Sequence, residues 1–226
     1  MKTSVLVFAA HPDDEVLGCG GTLAKLADQG ATIHVVFMAD GVLSRGANDD
    51  VKLELKARQV AARRACNMLG VKSVSFGDFP DNRMDSIGLL DIIKVVESEI
   101  NIHQPNMVFT HHIGDLNIDH HCVHKAVVTA CRPQCGCPVK TLLFFEVPSS
   151  TEWQIPTSAP VFAPNWFIDI SGTLERKLTA LEVYDSELRA WPHPRSVKGV
   201  EHLAHWRGAI VGVESAEAFI LGRNLS

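Results

Sequence analysis

Ser4-Val5-Leu6-Val7-Phe8-Ala9, running into Ala10-His11-Pro12-Asp13-Asp14-Glu15, is the stretch that decides how this chain folds. The first six residues form a short, nearly continuous apolar run, which predicts a strand buried on both faces. From Glu15 the spacing turns helical and continues to Gln29, with Gly30 placed as a C-terminal cap. The polar residues between them therefore sit in a strand-to-helix turn. In open α/β sheets such turns line the crevice at the carboxyl ends of the strands, where ligands bind. One imidazole and two adjacent carboxylates stand in that turn. His and Asp are natural ligands of a divalent metal, and a second carboxylate beside them can serve as a base toward water. The combination points to hydrolysis.

The same alternation continues outward. Thr32–Met38 reads as a second strand, Asp40-Gly41 and Ser44–Asp50 as a loop, and Val51–Leu69 as a helix closed by Gly70. Ser73–Phe76 is a short strand, Ile87–Ile102 a helix and Met107–Thr110 another short strand. His111–Ile118 follows as a polar loop, His120–Cys131 as a helix and Thr141–Phe145 as a strand. Repeated βα units predict an α/β fold, a Rossmann-like three-layer sandwich whose sheet is mostly parallel and carries helices on both faces. Pro148–Pro164 reads as a long loop. Trp166–Ile170 is a candidate last strand, and Leu174–Arg189 and His202–Ile210 are helical in pattern. No repeat or linker divides the chain, so residues 1–226 are expected to form a single domain.

Composition excludes several classes. With 21 Lys and Arg against 26 Asp and Glu, the net charge of −5 offers no footprint for nucleic acid. No apolar run approaches the roughly 20 residues of a membrane span, and the first strand is too short to be a signal peptide. The expectation is a cytoplasmic protein. Of the six cysteines, Cys19, Cys66 and Cys122 fall in helices, as reduced buried thiols do. Cys131, Cys135 and Cys137 cluster around a turn, but their spacing is not that of a common zinc site and no fourth ligand is evident.

Three segments with metal-capable or acidic side chains fall at predicted strand ends. The first holds His11, Asp13 and Asp14. The second is His111-His112-Ile113-Gly114-Asp115-Leu116-Asn117-Ile118-Asp119-His120-His121, and the weaker third is Asp40-Gly41. Each has a structural reading as well: Asp before a helix caps it or favours its dipole, and a histidine-rich loop can simply be solvated. Together, at matching topological positions, they outweigh those readings. A catalytic zinc needs three protein ligands and an open position, which His11, Asp14 and one later histidine would supply.

These motifs resemble the LmbE-like, or PIG-L, family of zinc-dependent N-deacetylases. Ala10-His11-Pro12-Asp13-Asp14-Glu15 matches the family's Ala-His-Pro-Asp-Asp-Glu, and Asp119-His120 stands where the family places its third ligand. The resemblance runs from the first strand to about Val147. It implies an enzyme that removes an acetyl group from an N-acetylglucosamine-type substrate, releasing acetate and a free amine, with Zn2+ as cofactor. It further implies that His11, Asp14 and His120 bind the metal, with His121 as the rival to His120, that Asp13 is the general base, and that Asp119 orients a metal-side histidine. Many relatives carry a histidine where this chain has Asn117. His193, restrained between Pro192 and Pro194, is the candidate for the auxiliary acid or oxyanion donor. Arg58, Asp81, Asn117 and Arg195 are candidate substrate contacts. The expected partner is a small amino sugar, free or linked to a nucleotide or lipid, and a homo-oligomer is compatible with the family.

Two other functions compete. Asp119-His120-His121 spells the signature of a metal-dependent phosphoesterase, whose paired ions need several further carboxylates. Gly18-Cys19-Gly20-Gly21 hints at a non-catalytic sugar or nucleotide binder. Those glycines come after the helix has begun, which fits close helix–sheet packing better than a phosphate loop.

Overall fold

The computed structural model describes residues 3–39 and 49–225. Asp40-Gly41 and the start of the Ser44–Asp50 loop lie outside the described residues. Among the described residues, seven strands form one sheet in the order β3-β2-β1-β4-β5-β7-β6. They are β1 (Ser4–Ala9), β2 (Thr32–Ala39), β3 (Ser73–Phe79), β4 (Met107–His111), β5 (Thr141–Phe145), β6 (Trp166–Asp169) and β7 (Ala216–Asn224). Strands β1 to β5 pair in parallel, while β7 runs antiparallel to both β5 and β6. The mostly parallel α/β sheet expected from the sequence is therefore present.

The central position of β1 explains its composition. Val5, Val7 and Ala9 pack on one face, and Leu6, Phe8 and Ala10 on the other. The first face is covered by helices α1 (Asp14–Asp28), α2 (Asp49–Met68), α5 (Leu174–Glu182) and α6 (Val197–Val211). The second is covered by α3 (Leu89–His103) and α4 (Ile118–Ala130). A strand with helices on both sides has no wet face, so its sequence does not alternate in polarity. None of the described helices is long and apolar enough to cross a membrane.

Helix α1 lies close against the sheet because its glycines leave room. A Cβ on Gly18 would sit 2.3 Å from the Phe145 ring, and one on Gly21 would sit 2.7 Å from Ile170. The packing role expected for these glycines is thus the one they have. The helix also breaks at Cys19, whose φ of −147° is not helical. A buried ion pair splints that break. Glu217 of β7 accepts from the amides of Gly21 (2.9 Å) and Thr22 (2.7 Å). Lys177 of α5 donates to the Leu17 carbonyl (2.9 Å) and pairs with Glu217 (2.5 Å). Both side chains are 4% exposed. Glu217→Ala leaves Lys177 charged and unpaired in the interior, which is expected to cost about 3–5 kcal/mol. Urea denaturation of the variant measures this.

Two expectations are corrected. The helix expected over Leu174–Arg189 stops at Glu182, and residues 183–187 form turns. Val183, Asp185 and Ser186 are poor helix formers, and Tyr184 is held by a buried partner instead. Strand β7 was not anticipated, because its buried Glu217 interrupts the apolar pattern that marks an interior strand. The three-cysteine turn holds a buried Cys131, an exposed Cys135 and a half-buried Cys137, all free thiols.

Candidate active site

The strand order reverses between β1 and β4, which run side by side and continue outward to β2 and β5. Their carboxyl ends, Ala9 and His111, flank the crevice where ligands bind in such sheets. The turn after β1 is tight. Asp13 sits at φ 116°, a left-handed conformation that residues with a Cβ rarely adopt. Its side chain makes no cap to α1. It pairs instead with Arg195 Nη1 at 3.1 Å. Asp14 Oδ2 accepts from the His11 amide at 2.8 Å. The capping reading of these two carboxylates therefore does not describe Asp13.

His11, Asp14 and His120 each place a ligand-capable atom within 4.8 Å of the others. His11 Nδ1 is 3.5 Å from Asp14 Oδ2, and His120 Nε2 is 3.4 Å from the same oxygen. The far nitrogen of each ring is engaged elsewhere. His11 Nε2 donates to Asp119 Oδ2 at 2.9 Å. His120 Nδ1 faces Asp115 Oδ1 at 3.0 Å, out of line for a good hydrogen bond, so the contact is mainly one of charge. Carboxylates behind imidazoles set the tautomer and leave the forward nitrogens with lone pairs. Two imidazoles and one carboxylate, aimed at one point and with room for a fourth ligand, fit a catalytic Zn2+.

The other histidines of this region each engage a backbone group, although His111 Nε2 also lies 3.5 Å from Asp14 Oδ2 and its buried Nδ1 has no hydrogen-bond partner. His111 Nε2 accepts from the Ala10 amide (2.8 Å), His112 Nε2 donates to the Pro160 carbonyl (3.0 Å), and His124 Nδ1 donates to the His111 carbonyl (2.8 Å). His121 Nε2 turns to the Asp115 carbonyl. Between the two rival neighbours, His120 faces Asp14 and His121 does not.

Buried charges set the electrostatics. Burial opposes a proton on His11, but its hydrogen bonds to Asp119, Asp14 and Asp81 hold its pKa well above the usual histidine value. Burial likewise opposes charge on His120, while Asp14 and Asp115 carry it up to about 9. Burial raises Asp13 to about 7, against the pull of Arg195. A cation at this point would take the place of protons that the imidazoles otherwise hold there.

A cleft of about 480 Å³, its open mouth included, exposes these groups. His11, Asp13, Asp14 and His120 line it, and so do Arg58, Asp81, Asn117 and Arg195. Several of these also have structural duties. Asn117 caps α4 by accepting from the Asp119 amide at 2.8 Å. Asp81 Oδ1 stands 3.1 Å from His11 Nε2. Arg58 pairs with Glu54 and with Glu187, which the sequence reading did not single out. His193 is not among the lining residues. Its ring packs edge-on to Trp153 at 5.3 Å, and its Nδ1 accepts from the Arg195 amide at 3.1 Å. Asp115 was also missed as a brace, although its position at the loop after β4 put it within reach. Its carboxylate is fixed by Ser150 and Thr151, from the loop after β5.

A second group, His11, Asp81 and Asp119, is also close enough to share an ion. Its shared imidazole is already committed to Asp119, which in addition accepts from the amides of Asn82 (2.6 Å) and Met84 (3.0 Å). A paired-ion phosphoesterase would need this second group, and its acceptors are already satisfied. Asp119→Asn removes the charge behind His11 and one of the two oxygens shared among His11, Asn82 and Met84, and is expected to weaken binding of a zinc ion at His11 roughly 10–100-fold. Competition with a chelating dye measures this.

Comparison with known proteins follows the same lines. The PIG-L profile, described as GlcNAc-PI de-N-acetylase, matches residues 6–131. The "Uncharacterized deacetylase YaiS" of Escherichia coli is 32% identical over 154 residues, covering 66% of this chain and 76% of that protein. A diacetylchitobiose deacetylase of Thermococcus kodakarensis is 27% identical, covering 81% of this chain and 69% of its own length. A 4-oxalmesaconate hydratase of Pseudomonas putida is 26% identical and covers 99% of this chain and 88% of that one. A solved hydratase structure from Pseudomonas putida, GalB, superposes with a TM-score of 0.79 at 23% identity, covering 100% and 98% of the two chains.

Proposed function

We propose a function from one premise: the chain belongs to the PIG-L family, described as GlcNAc-PI de-N-acetylase. It hydrolyses the acetamide of an N-acetylated amino sugar and releases acetate and a free amine. The observation that carries this reading is the convergence of His11 Nδ1 and His120 Nε2 on Asp14 Oδ2, with the Asp13 carboxylate on the same cleft wall. His11, Asp14 and His120 would hold Zn2+. When bound, zinc supplies a Lewis acid that makes water acidic enough to attack near neutral pH.

The remaining chemistry belongs to the chain. Asp13 takes a proton from the attacking water at its carboxylate and delivers it to the amide nitrogen, which leaves poorly as an anion. Arg195 holds that carboxylate in place. His193 does not line the cleft, so a donor role toward the carbonyl oxygen would require its ring to turn away from Trp153 and present Nε2–H. Asp81, Asn117 and Arg58 offer partners to sugar hydroxyls.

The test is acetate release from N-acetylglucosamine and N,N'-diacetylchitobiose, with chelator and after zinc is restored. Release that chelator abolishes and zinc restores is the expected result. No acetate from any N-acetylated sugar would overturn the reading. A second reading, water addition to an unsaturated polycarboxylate, is favoured by the hydratase relative that aligns with nearly the whole chain. The cleft weighs against it, because Arg58 and Arg195 are already paired with carboxylates. Loss of the ultraviolet absorbance of a conjugated tricarboxylate, without acetate release from sugars, would favour it.

A further inference from the structure

Asp13 must hold a left-handed backbone, and little in its own loop holds it there. Its carbonyl accepts from the amides of Val16 (3.1 Å) and Leu17 (2.9 Å), which any helix start provides. Its own amide donates to Glu15 Oε2 at 3.1 Å. Glu15 is fully buried, and its other oxygen accepts from the Tyr184 hydroxyl at 2.7 Å. Tyr184 is the chain's single tyrosine and is 3% exposed, in the turn that ends α5. A carboxylate with no exposed surface is costly to keep unless its oxygens are used. An acid that merely favoured the α1 dipole would need no hydroxyl donor brought from 169 residues away.

We propose that Glu15, fixed by Tyr184, is a positioning residue that holds the Asp13 backbone so that its carboxylate faces the cleft. Glu15 grips the main chain of Asp13, and Arg195 grips its side chain from the opposite end. This rests on the reading of Asp13 as the base. A misplacement of about 1 Å at a reacting group can cost 10²-fold in rate. Binding of sugar and metal involves other residues, so the loss falls on kcat.

The test compares E15A, E15Q, Y184F and D13N on the best N-acetylated sugar, with kcat, KM and zinc per chain measured for each. E15A is expected to lose roughly 100-fold in kcat with KM and zinc content near those of the parent. E15Q keeps an oxygen for the Asp13 amide and an amide for Tyr184, and is expected to stay within about threefold of the parent, because geometry rather than charge is what is held. Y184F is expected to lose roughly tenfold, and it carries the test if E15A does not fold. A crystal structure of Y184F or E15A with Asp13 relaxed from positive φ and Asp14 still in place would support the proposal. Parental kcat in folded E15A and Y184F, or E15Q as impaired as E15A, would overturn it while leaving Asp13 as base if D13N is inactive. Parental kcat in D13N would remove the base itself, and this inference with it.

Discussion

Asp14→Ala is expected to purify as a folded protein with almost no zinc and no turnover above that of the chelated parent. Asp14 Oδ2 is the one oxygen that both forward imidazole nitrogens face. Removing it leaves two histidines with no anion between them, and neither can be replaced by a neighbour. His111 has its Nε2 lone pair occupied by the Ala10 amide, and His121 points at a carbonyl. The same oxygen accepts from the His11 amide, so Asp14→Asn is the milder companion variant: it keeps an acceptor for the turn but not the charge. Metal analysis of both variants, with circular dichroism as the folding control, reads the result. Full zinc content in Asp14→Ala would move the metal away from His11 and His120.

Asp13→Asn separates the base from the metal. Asparagine tolerates the left-handed region better than alanine does, so the turn survives the change. His11, Asp14 and His120 do not depend on the Asp13 carboxylate, so zinc content is expected to stay at the parental level. Turnover is expected to fall by roughly 10²–10⁴-fold, the usual contribution of a positioned acid–base group. The Arg195 guanidinium then loses its carboxylate partner, and because it is partly exposed the effect on stability is small. Acetate release under saturating substrate measures the loss. Unchanged turnover would take Asp13 out of the reaction.

The fold was readable wherever residues answer to a single demand. The β1 run is apolar because both faces are covered, and Gly18 and Gly21 are small because Phe145 and Ile170 press on them. His11, Asp14 and His120 were readable because few side chains bind cations and the topology gathers strand ends. The structure places the three together, and it assigns Asp119 to His11 rather than to its neighbour His120. What could not be read depends on long-range partners. No local pattern marks Asp115 as the residue behind His120, since Ser150 and Thr151 fix it from another loop. Glu217 disguised β7, because a buried acid looks like a surface residue until Lys177 and the broken α1 are seen beside it. His193 was placed by the stiffness of its prolines, which says nothing of direction, and its ring packs on Trp153 outside the residues that line the cleft.

The insertion of β7 between β5 and β6 has a consequence for biosynthesis. The amide of Gly21 finds its acceptor 196 residues downstream, so the nascent chain carries α1 unsplinted until the six other strands have already left the ribosome. The broken middle of α1 is therefore secured only by the last strand of the sheet to be made. During that interval the exposed flank of β5 is an open edge for neighbouring chains, and overexpression at lower temperature, which slows synthesis and aggregation together, should raise the soluble yield.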